Sequence, residues 1–253
     1  MNFDISHLLE NWDYQAGQVI VRKFTGKDSL EKIQLRVDLG LLQMNAAGRP
    51  DGKRPMGNAS LLEYYTARLA KHRAAHEGDD EGFVLKPEDC SKLQLEALQY
   101  HHRYICLLQL EDYPAVVRDA ERNLAVFEFV EKYAEADELS WSLNQFRPQL
   151  LMMHTRATAT QSLVAKNFSE AIGKIEAGVE SIREFFRTRS RHDLLEQSGE
   201  IHSLESWLED IRNNRPLSRR EKLELALHEA VTREDYEKAA AVRDELRNLK
   251  PQD

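Results

Sequence analysis

Ile105-Cys-Leu-Leu-Gln-Leu110 runs into Asp112-Tyr-Pro-Ala-Val116, and the same pattern returns twice further along the chain. Asn167-Phe-Ser-Glu-Ala171 follows Ser162-Leu-Val-Ala165, and Asp235-Tyr-Glu-Lys-Ala239 follows Leu227-His-Glu-Ala-Val231. Each joint places an Asp or Asn to cap a second helix and an aromatic to plug the corner. A small residue or Val three positions later lets the two helices approach. The joints predict α-hairpins. Outward from them, helices are expected at roughly 114–135, 138–146, 148–166, 169–188, 193–213, 219–231 and 236–249. Pro148 interrupts an apolar stretch and predicts a break there. Upstream, Pro87 with Glu88 and Asp89 opens the longest helix, reaching about Leu110. Ser60-x-x-Glu63 is a capping box for an earlier one, with Lys71, His72, Arg73 and His76 at its end and Gly78 as its stop.

The joints resemble the inter-helix turn of tetratricopeptide-type hairpins. They stand 55 and then 68 residues apart, unlike a regular 34-residue array. The small residue that family carries on the first helix is matched by Ala159 and replaced by Tyr104. Irregular tetratricopeptide-like hairpins are the expectation, with a generic helical bundle as the alternative.

Only the N-terminal region reads as β. Gln18-Val-Ile-Val-Arg-Lys-Phe24 is β-branched, and Ile33-Gln-Leu-Arg-Val-Asp-Leu39 alternates strictly. The alternation predicts Ile33, Leu35, Val37 and Leu39 covered by helices, with Gln34 and Arg36 facing water. Two strands alone are marginal, so helices, a third strand or a partner must cover the apolar face. Gly48-Arg-Pro-Asp-Gly-Lys-Arg-Pro55 is a turn-rich connector, read as solvated or as a ligand-facing loop.

The 253 residues suffice for a large core without staples. A composition 42% hydrophobic and 31% charged excludes disorder and fibre. No apolar run is long enough for a transmembrane helix, and Met1-Asn-Phe-Asp4 has no signal-peptide character. Two cysteines, Cys90 and Cys106, make no disulfide framework, which favours a reducing cytoplasm. The net charge of −8 conceals a basic stretch at 17–73, with 11 Lys/Arg against 5 Asp/Glu, ahead of an acidic one at 74–140. The pI of about 5.7 disfavours nucleic acid by bulk field.

The last 36 residues are the most informative about function. Ser218-x-x-Glu221 is a capping box, and Leu223, Ala226, Leu227, Ala230 and Val231 form one apolar stripe. A second stripe runs through Tyr236, Ala239, Ala240, Val242, Leu246 and Leu249. Helices this short and alanine-rich bury little and should seek further apolar surface. The segment resembles the UVR motif, the UvrB/UvrC motif shared by two components of the bacterial excinuclease. Leu223, Leu227, Ala230, Asp235-Tyr-Glu-Lys-Ala-Ala240 and Arg243-Asp244 carry the match. The resemblance implies an antiparallel hairpin that pairs with another UVR hairpin or a partner protein. It extends to repair proteins and to Clp-type chaperones and their regulators. No P-loop accompanies it, so the helicase-like ATP chemistry of the excinuclease is not expected, and no Cys-x-x-Cys supports a zinc-binding form.

Other constellations are weak. His101, His102, Cys106 and Cys90 lack zinc-ligand spacing, and Cys90 beside Asp89 lacks an activating base. His154 lies among Met152 and Met153, and reads as core or groove. Arg187, Arg189 and Arg191, near a helix end, favour complementing a helix dipole over recognising a phosphate.

The fold expected is mostly α: irregular tetratricopeptide-like hairpins or a bundle, a small N-terminal β-hairpin and a C-terminal UVR helical hairpin. The domains expected are 1–57, 58–214 and 215–253. The function expected is a cytoplasmic, non-enzymatic adaptor without cofactor or metal. Leu223, Leu227, Ala230, Tyr236, Ala239, Ala240, Arg243, Asp244 and Leu246 would contact a protein partner or a second copy. Rivals are a nucleotide-excision repair accessory using the basic 17–73 region, a Clp-type protease or chaperone regulator, and an enzyme with a site near the 40–57 loop. Repair requires the basic residues of 17–73 on one exposed face; their pairing with 74–140 argues against it.

Overall fold

A computed structural model describes residues 4–216 and 219–248. The chain divides into two compact units, Met1–Leu208 and Glu209–Asp253. The fold is predominantly helical, with a small antiparallel sheet near the N-terminus.

After a short turn of helix α1 (Ser6–Leu9), the sheet comprises β1 (Val21–Thr25), β2 (Glu31–Val37) and β3 (Gly40–Asn45) in sequential order. The expected hairpin thus gains a third strand. Ile33 is fully buried opposite Met44 and belongs to the main core, as its alternation predicted. Leu39 does not follow its stripe. It occupies the turn between β2 and β3 and is 91% exposed, because the Val37–Gly40 pairing ends the ladder before it. Gln34 corrects the reading again, being 5% exposed where water was expected. It lies in register with Arg22 on one side and Gln43 on the other. Its amide accepts from Arg22 Nε at 2.7 Å and donates to Gln43 at 2.8 Å, so all three strands are laced on their polar face. The Arg22 guanidinium stacks over the Trp12 ring at 4.0 Å, and Arg36 Nε donates to the Trp12 carbonyl at 2.8 Å. The leading segment therefore covers a face that alternation alone assigned to solvent.

The body continues through a 3-10 turn (Pro55–Gly57) to α2 (Leu61–Ala75), α3 (Pro87–Gln109), α4 (Tyr113–Tyr133), α5 (Asp137–Asn144), α6 (Arg147–Val164) and α7 (Phe168–Thr188). Ser60 caps α2 by accepting from the Glu63 amide at 3.1 Å, and Pro148 falls in the first turn of α6. The stretch expected as one helix over 193–213 is two, α8 (His192–Gln197) and α9 (Gly199–Asn214), parted at the extended Ser198. Gly178 is buried on α7, where a Cβ would stand 2.8 Å from the Cβ of Thr155 on α6. At this point the two helices leave no room for a side chain on α7. An acidic linker residue, Asp80, ties the helix ends together: Arg73 at 2.8 Å, Lys132 at 2.8 Å and Tyr133 at 2.6 Å all donate to it.

The recurring joints share more than residue types. Glu111, Lys166 and Glu234 sit in the left-handed region at φ 58, 60 and 57°. The next amide then reaches back five residues: Asp112 to Leu107 at 2.9 Å, Asn167 to Ser162 at 2.8 Å and Asp235 to Ala230 at 2.9 Å. This is the Schellman closure, which satisfies carbonyls left open by the ending helix. Three positions past each aromatic, Val116, Ala171 and Ala239 are buried. The capping is less uniform than expected. Asn167 accepts from the Glu170 amide at 3.2 Å and Asp235 from the Lys238 amide at 3.1 Å. Asp112 makes no cap bond, its carboxylate lying 3.9 Å from Lys23.

Candidate functional site

The terminal unit carries α10 (Arg219–Thr232) and α11 (Tyr236–Asn248), packed as a hairpin around the Glu234 joint. Thr232 Oγ1 donates to the His228 carbonyl at 2.8 Å and the Asp235 cap starts α11, so the turn is fixed by side chains on both sides. Ala230, Ala239 and Val242 are buried, and Leu223, Leu227, Ala240 and Leu246 half-buried. The hairpin is thus held by small contacts. Ser218 and Leu249 lie outside the described residues, as does the side chain of Glu221.

Two readings of this hairpin are corrected. Tyr236 does not plug the corner: it is 70% exposed, whereas Tyr113 and Phe168 at the earlier joints are half-buried. Tyr113 packs against the many-layered core of the larger unit, a depth the short terminal unit does not offer. Val231 leaves its predicted stripe and is 53% exposed; Leu225, not singled out by the stripe, is 51% exposed. Arg243 and Asp244 are exposed and pair with each other at 3.0 Å. Among the described residues of this unit, the large apolar side chains that stand half or more exposed are Leu225, Val231 and Tyr236.

A second constellation, inside the larger unit, was not legible as a site. Arg49, Arg103, Arg118 and Arg122 converge on the buried carboxylates of Glu96 and Asp119. Arg103 is engaged at every nitrogen: Nε and one Nη hold Asp119 at 2.6 and 2.8 Å, and the other Nη donates to the carbonyls of Asn45 and Gly48 at 2.9 and 2.7 Å. Arg118 Nε reaches Asp119 at 3.0 Å. Glu96 accepts the Leu61 amide at 2.9 Å and is paired with Arg122. Tyr100 lies beneath the guanidiniums of Arg103 and Arg122, at 4.8 and 4.1 Å. The sequence did carry a signal. Glu96 and Arg103 stand seven apart within the apolar face Leu93, Ala97, Tyr100, Tyr104 and Leu107, where a charge is costly unless paired.

Cys90 and Cys106 are buried free thiols; burial raises both, Cys106 to about 12. His101 meets the Tyr104 hydroxyl at 2.6 Å, and burial lowers the pKa of both His101 and His102. Among the described residues no group of three or more His, Cys, Asp or Glu could hold a metal ion. His154 lies 3.5 Å from Glu121. Arg187, Arg189 and Arg191 pair with Glu180, Glu131 and Asp193. Of the basic 17–73 stretch, Lys23, Arg49, Arg68 and Arg73 pair with Asp112, Glu96, Asp89 and Asp80 of the acidic one. Among the described residues no helix is long and apolar enough to cross a membrane.

A family model, the UvrB/uvrC motif, matches residues 218–252. The chain therefore carries a UVR motif over its terminal hairpin. No curated protein and no solved structure matches the chain.

Proposed function

We propose that this chain, which carries a UVR motif over residues 218–252, is a non-enzymatic adaptor that docks through that hairpin onto a second UVR-type hairpin, its own copy or a partner's. Proteins carrying the motif use it for protein interaction, in DNA repair and in Clp-associated systems. One observation carries the reading. Among the described residues the hairpin fully buries Ala230, Ala239 and Val242, while Leu225, Val231 and Tyr236 stand half or more exposed. Helices of 14 and 13 residues are marginal on these three buried side chains and the half-buried Leu223, Leu227, Ala240 and Leu246, and a docked surface would complete them. Tyr236 suits an interface centre, since a tyrosine contributes large area at little entropic cost. The pairing of basic with acidic residues in the larger unit favours this reading over repair through a basic face.

Sedimentation of the full chain, a truncation after Asn214 and the Val231→Ser/Tyr236→Ser double variant tests it, together with recovery of partners from a lysate. The full chain should self-associate or retain a partner that both altered forms lose. Identical behaviour of all three would overturn the proposal.

A further inference from the structure

Arg49, Tyr100, Arg103, Arg118, Asp119 and Arg122 line a cavity of about 200 Å³ in the larger unit. Three properties of this cavity converge on one ligand chemistry. The first is charge. Four guanidiniums face two fully buried carboxylates, Glu96 and Asp119, and an excess of positive charge remains even when Asp51, 3.2 Å from Arg49 at the rim, is counted.

The second is unsatisfied donors. Nε of Arg122 is buried without a hydrogen-bond acceptor. Nε of Arg49 is also buried, and although Glu96 lies 2.8 Å away, the pair is outside hydrogen-bond geometry. Buried donors in native proteins are almost always satisfied, and those that are not point to a bound ion or water. Desolvation lowers the pKa of Arg122, so its charge is held against a cost that a facing anion would relieve.

The third is preorganisation. The Arg103–Asp119 pair and the Tyr100 ring fix the guanidinium planes from behind, and Arg118, with its side chain 48% exposed, stands at the solvent edge. Arg118 Nε and one Nη already donate to Asp119 and to the Ala46 carbonyl at 3.0 and 3.2 Å, which holds the guanidinium in place and leaves its second Nη for an incoming oxyanion.

We infer that this cavity is a binding site for a small oxyanion, the phosphate or carboxylate group of a small molecule. Arg118 admits and clamps it, Arg122 and Arg49 neutralise it, and Arg103 serves as scaffold. The site uses the larger unit alone and is independent of hairpin docking.

Calorimetric titration of the full chain with inorganic phosphate and, separately, with malonate tests it, at ionic strength held constant with chloride. One of the two should give a saturable isotherm, and which one assigns the group as phosphate or carboxylate. Arg118→Gln, altering a half-exposed side chain, should weaken binding at least roughly tenfold with an unchanged circular-dichroism spectrum. Arg122→Lys keeps the charge against Glu96 but loses the fork, and should weaken binding comparably. Absence of a saturable isotherm with both anions in the unmodified chain overturns the inference, whatever the variants do. So does binding by both folded variants equal to that of the parent.

Discussion

Arg103 and Asp119 join α3 to α4 by two hydrogen bonds, 2.6 and 2.8 Å long, with both side chains only 1% exposed. The same guanidinium reaches the carbonyls of Asn45 and Gly48, so one side chain fastens the helical body to the end of the sheet.

Removing one member of that pair leaves the other charge buried alone. Asp119→Ala is expected to cost about 3–5 kcal/mol in urea unfolding. Arg103→Met/Asp119→Leu should recover part of it, because the uncompensated charge goes too. Equal losses for single and double variants would show that losing the Arg103 bonds to the Asn45 and Gly48 carbonyls offsets the relief of the unpaired charge.

The contact between Gly178 and Thr155 sets a second expectation. Alanine is the better helix former by about 1 kcal/mol, yet the added methyl would enter the Thr155 side chain. Gly178→Ala should therefore destabilise by roughly 1–3 kcal/mol. Thr155→Ala in the same background should restore stability in thermal melts.

Lys166 holds a left-handed conformation that costs an L-residue about 1–2 kcal/mol, against about 0.5–1 kcal/mol of extra chain entropy for glycine. Lys166→Gly should thus be neutral or slightly stabilising. Lys166→Val should lower the melting temperature, since a β-branched side chain tolerates positive φ worst.

In the terminal unit, Ala239 is buried at the helix contact and Ala240 only half-buried. Overpacking therefore falls on the first of the two. Ala239→Leu should cost about 1–3 kcal/mol, enough to disrupt so small a hairpin, and Ala240→Leu less. Hydrogen exchange of 219–248, read separately from the larger unit, distinguishes them.

Burial lowers the pKa of His101 and His102 in the folded chain below the ordinary value near 6.5. The unfolded chain then binds more protons as the medium acidifies. Their contribution is whole above about pH 6.5 and is lost as pH falls through the folded values. Urea midpoints should drop between pH 7.5 and 5.5, and drop less in His101→Gln/His102→Gln. An equal drop would assign the effect to other groups.

The helices were legible because their signals are local. Ser60, Pro87, Asn167 and Asp235 announce starts, and the joint pattern marked three reversals correctly although its Asp112 makes no cap bond. What escaped depends on distant partners. Gln34 is buried because Arg22 and Gln43, 12 and 9 residues away, lie in register with it. Tyr236 and Tyr113 occupy equivalent places in the same motif, and only the depth of surrounding structure separates an exposed ring from a half-buried one. The arginine cavity draws on the 48–60 connector and on two helices, so no window of sequence displays it.

The touching of Gly178 and Thr155 also limits how this sequence can drift. Gly178 cannot gain a heavy atom unless the Thr155 side chain gives way, so the two should change together in related chains. A relative with alanine or serine where Gly178 stands should carry a residue smaller than threonine where Thr155 stands. One that keeps the threonine there must have spread the two helices apart.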